Sequence, residues 1–237
     1  MKRALDIIFS FAGIIILLPL MLVVALLIVL ESPGAPVYKS VRVGRNWKKF
    51  NFYKFRTMRA DSDKEWENLQ NRNSYLDIYL DPEELDLDRS LLDIHLYGDT
   101  YYVNEYNYLN ETCKRANSIY LKVEDDPRIT RLGHFLRATS LDELPQLLSV
   151  LKGDMSIVGN RPLVVAEAEL LTDDVYAKRF DCPAGITGLW QVQPDKDTMK
   201  AERRRQIDVT YAERQSLALD FKIVFSTVKK VFSRGNV

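Results

Sequence analysis

From Ile7 to Leu30 the chain is almost wholly apolar, interrupted only by small residues and by Pro19. As one helix this run would be about 36 Å long at about 1.5 Å per residue, enough for a bilayer core of about 30 Å. The run is long for a cleaved signal peptide, and no small-residue cleavage motif stands before Glu31-Ser32-Pro33-Gly34. Proline in mid-helix removes a backbone hydrogen bond and clashes with the preceding turn, a cost of about 3 kcal/mol. Lys2 and Arg3 precede the run, while Lys39, Arg42, Arg45, Lys48 and Lys49 follow it. The positive-inside rule keeps both flanks on the cytoplasmic side. A helix broken near Pro19 that enters and leaves by the same face satisfies both facts. Spanning helices tolerate proline, so on residue grounds an ordinary single pass stands level with the re-entrant form.

Past the apolar run, Val37-Tyr38-Lys39 leads to a turn at Gly44-Arg45-Asn46. The aromatic–polar alternation of Phe50 to Arg56 then predicts a strand with Lys54 and Arg56 on one face. Residues 67–118 are rich in Asp, Tyr, Asn and Leu, and their apolar content predicts an ordered excursion rather than a disordered linker. Leu132, Phe135 and Leu136 suit a short amphipathic helix, and Leu144, Leu147, Leu148 and Leu151 a second. Met155 to Val158 reads as a short strand, 164–180 as helix, and Ala184 to Gly188 as a glycine-bearing loop. Phe221, Val224, Phe225, Val228 and Phe232 recur at helical spacing among Lys222, Lys229, Lys230 and Arg234. Such a helix either lies on an anionic membrane surface or packs on the core, and the periodicity serves both.

Composition narrows the function. The 33 basic and 33 acidic residues cancel, which argues against a nucleic-acid partner. Cys113 and Cys182 lack metal or redox spacing, and His95 and His134 are too few for a histidine metal site. A reducing, cytosol-facing location fits this usage. There is no P-loop, GxGxxG fingerprint, HExxH or GxSxG.

The candidate chemistry sits in Arg137-Ala138-Thr139-Ser140-Leu141-Asp142-Glu143-Leu144-Pro145. On residue types alone this is a helix start, with Ser140 and Glu143 in capping-box relation or Asp142 as the cap and Pro145 in the first turn. A helix N-terminus also suits a phosphate. Neighbours on a regular helix point about 100° apart, so Asp142 and Glu143 face one spot only where the first turn is looser. Lys54 and Arg56, Arg128 after Asp125-Asp126-Pro127, and Arg161 in Gly159-Asn160-Arg161-Pro162 add phosphate-matching cations.

In this order, these segments resemble the bacterial sugar transferase family of polyprenyl-phosphate phosphoglycosyl transferases, in its membrane-monotopic form. The blocks carrying the resemblance include Lys2 to Asp6 with Pro19, Ser32 to Gly34, Arg42 to Arg45, Lys54 to Met58 and Asp126 to Thr130. They continue with Thr139 to Leu147, Leu151 to Ser156, Gly159 to Pro162 and Pro183 to Val192. The resemblance implies transfer of a sugar-1-phosphate from a UDP-sugar to polyprenyl (undecaprenyl) phosphate, with UMP released. It makes Asp142 the nucleophile of a covalent aspartyl-phosphosugar and a ligand of Mg²⁺, with Glu143 assisting and Arg137 and Arg161 holding phosphate. It also implies a re-entrant anchor at 1–31 and a helix-rich α/β catalytic domain at 32–237 with amphipathic interfacial helices, on the cytoplasmic face of the bacterial inner membrane.

Two departures from the family pattern stand out. Asn160 replaces the proline usual in the Gly-x-Arg-Pro loop, and the 67–118 excursion exceeds the usual link. The excursion would cover the sugar site, contact a downstream glycosyltransferase or mediate self-association. Without the further N-terminal helices of longer members, the expected form is a minimal catalytic module. A metal-dependent phosphohydrolase and a silent membrane scaffold are the competing readings. The particular sugar, the lipid length and the pathway product are not written in these motifs.

Overall fold

The apolar run forms one helix, α1 (Lys2–Glu31), in a computed structural model that describes residues 1–60, 95–97, 102–104, 126–169, 171, 174–196, 199 and 201–234. The expected break near Pro19 is absent from the secondary structure, since the helix continues through that residue. Proline deletes one backbone bond and leaves the turns on either side intact, a tolerance common in apolar helices.

One stripe of α1 lies on the protein along its whole length. Asp6, Ser10, Val24 and Ile28 are buried, and Gly13, Leu17, Met21 and Ala25 half-buried, at steps of three and four residues. Ile8, Phe11, Ile15, Ile16, Leu22, Val23 and Leu30 point elsewhere and are exposed. Polar contacts fix the N-terminal end. Lys2 Nζ donates to Asp220 at 2.5 Å and to the Val158 carbonyl at 2.9 Å. Arg3 donates to the Leu151 carbonyl at 2.8 Å, and the Asp6 carboxylate accepts from Ser156 Oγ at 2.8 Å and the Ile157 N–H at 3.0 Å. Apolar contact fixes the other end: Val24 and Ile28 share a core with Phe55 and Leu136, edged by Met21, Leu132, Leu141 and Leu144. A fully buried side chain of this size contributes about 1.5–3 kcal/mol.

The strands β1 (Val37–Val43) and β2 (Lys49–Phe55) form an antiparallel hairpin, with Val37 opposite Phe55 and Val43 opposite Lys49. The turn between them carries Asn46 and Trp47 at φ 52° and 59°. Trp47 is held there by the Phe180 ring, 4.0 Å away between centroids. The chain divides into two compact units, residues 1–60 with 129–237, and residues 61–128. In the second, β3 (His95–Tyr97) and β4 (Tyr102–Asn104) pair antiparallel. The rest of the 67–118 excursion, with Cys113, lies outside the described residues.

In the first unit, Thr130 caps α2 (Arg131–Thr139) by accepting from the Gly133 N–H at 2.9 Å. A 3₁₀ turn, Leu141–Glu143, leads to α3 (Gln146–Lys152) and then β5 (Met155–Val158). The helix expected over 164–180 is instead a mixture of short pieces: β6 (Leu163–Val164), α4 (Val165–Glu169), α5 (Asp174–Ala177) and a 3₁₀ turn at Lys178–Asp181. Pairing of β6 with β1 captures the start of that segment as strand. The expected loop after Pro183 contains β7 (Ala184–Thr187), parallel to β5.

Two helices complete the unit, α6 (Ala201–Glu213) and α7 (Leu217–Arg234). Ile223 of α7 packs with Val158, Cys182 and Tyr211, while Phe221, Phe225 and Val228 form an exposed apolar stripe. The helix therefore has two apolar faces, and only one meets the core.

Candidate active site

Ser140 ends α2 in the left-handed conformation (φ 59°, ψ 18°), its N–H bonding back to the Arg137 carbonyl. Its side chain caps nothing, and α3 starts at Pro145 with no side-chain cap. The capping-box reading is therefore overturned: the carboxylates of the following turn are turned to another use. Asp142 and Glu143 both reach Lys54 Nζ, at 3.1 and 2.7 Å. A regular helix would spread these neighbours by about 100°, but in this turn both side chains converge on one cation. Asp142 is buried, while Glu143 and Lys54 are about one-third exposed along their side chains, so the cluster opens to solvent on one side.

The remaining predicted residues part company. Arg137, in the last turn of α2, donates through Nε to Thr57 Oγ1 at 2.9 Å, within two residues of the hairpin's end. Arg56 does not join Lys54. It donates to the Pro33 carbonyl at 3.0 Å and to the Ser32 carbonyl, clasping the chain where it leaves α1. Lys54 lies within β2 whereas Arg56 falls just past its end, where strand alternation no longer sets direction. Arg128 belongs to the second unit and forms a buried pair with Asp126, with contacts of 2.6, 2.9 and 3.2 Å.

Arg161 is displayed by a rigid loop. Gly159 and Gly185 lie so close that a Cβ on either would collide with backbone of the facing segment. Asn160 Nδ2 donates to the carbonyls of Arg179 at 3.0 Å and Asp208 at 2.9 Å. Arg179 in turn donates to the Arg161 carbonyl at 3.0 Å and to the Asp208 carboxylate at 2.6 Å. Burial pushes the Asp208 carboxyl up to about 6, against the pull of Arg179. The asparagine in place of the family's proline thus serves as a cross-link between the loop and the buried Arg179–Asp208 pair.

Sequence reasoning passed over Arg42 as a site residue. It lies on β1 opposite Phe50, its guanidinium 5.4 Å from the Phe52 ring, and Lys54 Nζ is 5.8 Å from the same ring. Burial, then the Arg161 guanidinium, pulls Arg42 below its ordinary range, with Glu167 and Tyr38 opposing. The strand alternation was legible, and pairing β1 with β2 in register would have put Arg42 on the face of Lys54.

The dyad also suits a hard divalent cation. Two carboxylates already share one positive charge, and Mg²⁺ takes one or two carboxylates together with substrate phosphates rather than a full protein cage. Among the described residues no cluster of three or more ligating side chains forms such a cage.

The family model described as bacterial sugar transferase matches residues 1–234. A UDP-galactose-lipid carrier transferase of Erwinia amylovora is 36% identical over 237 residues, covering 99% of this chain and 41% of its own length. The UDP-glucose:undecaprenyl-phosphate glucose-1-phosphate transferase of Escherichia coli is 31% identical over 239 residues, covering 98% of this chain and 40% of its own length. An exopolysaccharide production protein, PSS, of Rhizobium leguminosarum is 33% identical over 244 residues, covering 99% of this chain and 96% of its own length. The chain thus spans about two-fifths of the first two relatives and nearly all of the third. With the hairpin, the carboxylate turn and the Arg161 loop all inside the matched span, the chain belongs to the bacterial sugar transferase family.

Proposed function

We propose that the protein transfers a sugar-1-phosphate from a UDP-sugar to polyprenyl phosphate at a membrane surface, in bacterial polysaccharide assembly. The observation that carries this reading is the convergence of Asp142 and Glu143 on Lys54, against the core that seats α1. The substrates follow from what the names of the relatives say of those proteins.

In the proposed reaction an Asp142 carboxylate oxygen attacks the sugar-linked phosphorus. The bond from that phosphorus to the bridging oxygen breaks, and UMP leaves with the electron pair. An oxygen of the polyprenyl phosphate then attacks the aspartyl-phosphosugar, expelling Asp142 and giving the polyprenyl-diphosphate sugar. Dividing the transfer in this way replaces one difficult displacement by two easier ones. Lys54 pairs with both carboxylates of the dyad and neutralises phosphoryl oxygens as charge develops. Glu143 competes with Asp142 for Lys54 and so leaves an Asp142 oxygen available for attack. Asp142, with Glu143, would hold Mg²⁺, which when bound neutralises phosphate charge.

The membrane placement we propose is monotopic, with both ends of α1 held at the cytoplasmic face. Support comes from the stripe of α1, since residues at both of its ends pack on the same polar unit. A straight crossing of about 30 Å of hydrocarbon would separate those ends. The exposed stripe of α7 with Lys222 and Lys229 suits an interfacial position beside it.

The test is UMP release by nanodisc-held protein with a panel of UDP-sugars, with and without undecaprenyl phosphate and Mg²⁺, alongside Asp142→Asn. Lipid-dependent release that the substitution abolishes is the expected result. Release that proceeds equally well without lipid would make the protein a hydrolase, and a fully active Asp142→Asn would remove the dyad from the chemistry.

A further inference from the structure

Arg42 and Arg161 are the charges that the dyad does not account for. β1 is the middle strand of its sheet, with Arg42 opposite Phe50 on one side and Val164 on the other, which brings it beside the segment that follows Arg161. Its guanidinium makes one hydrogen bond among the described residues, from Nε to Ser40 Oγ at 3.2 Å. Among the described residues neither guanidinium lies within ion-pair distance of a carboxylate. Glu167 offsets part of the charge on Arg42 from nearby, while its Oε2 accepts from the Val164 N–H at 3.0 Å. Arg42 is half-buried and Arg161 exposed; the two guanidinium groups repel each other, Glu167 offsets part of that repulsion, and a shared anion would relieve the rest.

The Arg161 loop is too braced to relax that repulsion by moving. Arg179, Asp208, Gly159 and Gly185 fix its backbone. The fold therefore presents two cations from adjoining braced segments, which is how a preorganised anion site is built. The site is distinct from the dyad, because on the hairpin face Phe52 lies between Arg42 and Lys54. At the dyad end Phe55, Leu141 and Leu144 meet Val24 and Ile28 of α1, and there a lipid phosphate would arrive.

Resting on the proposed function, we infer that Arg42 and Arg161 together grip the nucleotide's own phosphate, the one that departs in UMP. The sugar-linked phosphate is left to Lys54 and the dyad. Arg42 is thereby a substrate-binding residue whose contact lies wholly on the leaving half of the donor.

The experiment compares UMP and uridine as ligands of the nanodisc-held full chain, by calorimetry and by competition in the UMP-release assay. Wild type should prefer UMP to uridine by at least about 10-fold, as charge-assisted contacts to one phosphate imply. Arg42→Met should cut UMP affinity by about 10-fold or more, leave uridine affinity unchanged, and raise the KM for UDP-sugar but not for undecaprenyl phosphate. Arg161→Met should do the same, and the double substitution should lose little more, because both act on one phosphate. Arg42→Lys, which keeps the charge, should retain part of the preference and covers the case in which Arg42→Met does not fold. Equal weakening of UMP and uridine would make Arg42 a structural residue and overturn the inference. A rise in KM for undecaprenyl phosphate instead would assign the pair to the lipid, also overturning it. If wild type releases UMP from its donor yet shows no preference for UMP over uridine, this inference fails while the transferase reading stands. A wild type that turns over no donor and binds no UMP would sink the transferase reading itself.

Discussion

At the scale of single residues, Lys54 is the hinge of the site, because one ammonium serves two adjacent carboxylates. Lys54→Met should lower UMP release on the order of 100-fold, the usual loss when one preorganised charge partner is removed. Thermal unfolding should change little, since the side chain is partly exposed. A loss of activity matched by a large drop in melting temperature would instead make Lys54 a structural strut. The types of residue at this site were legible in the sequence: the dyad, Lys54 and Arg161 all stand out as phosphate chemistry. Their groupings were not. Arg56 follows Lys54 at strand spacing but passes the strand's end and clasps Ser32 and Pro33, and Arg128 is consumed by Asp126. Arg42 escaped notice because its significance depends on which strands pair, a long-range fact that local periodicity does not contain.

At the scale of elements, the long periodic stretches were readable and the short ones were not. α1, α2, α3 and α7 fall where apolar spacing puts them, although Phe221, Phe225 and Val228 of α7 stay exposed while Ile223 is buried. The 164–180 segment loses its start to the sheet, where Val164 pairs with Arg42 of β1. The seating of α2 on the hairpin is the most demanding contact in this part of the fold. A Cβ on Gly133 would collide with the Thr57 carbonyl oxygen, and that same carbonyl accepts from the Thr130 N–H at 3.1 Å. Gly133→Ala should destabilise the protein by about 1–3 kcal/mol, a typical cost of overpacking. It should also slow UMP release by shifting Arg137 away from Thr57. An unchanged melting temperature and unchanged turnover would show that α2 slides freely on the hairpin.

At the scale of the whole molecule, the placement of α1 makes a topological prediction. Ala4, in the first turn of α1, and Ala35, just past its end, are both exposed. Single cysteines at these positions, in a background lacking Cys113 and Cys182, should both react with an impermeant maleimide in inside-out vesicles and neither in intact spheroplasts. Reaction from opposite sides would mean that α1 crosses the bilayer. The side chains that seat the end of α1 are next-door neighbours of the reacting ones: Phe55 follows Lys54, while Leu141 and Leu144 bracket the dyad. No flexible tether intervenes, so on the proposed monotopic placement the height of Asp142 above the lipid headgroups would be set by side-chain packing. On the proposed function, a lipid acceptor diffusing in the plane of the membrane would meet the dyad at one fixed level. Its search is confined to two dimensions, and a phosphate not carried on a lipid would have to find the same spot from three.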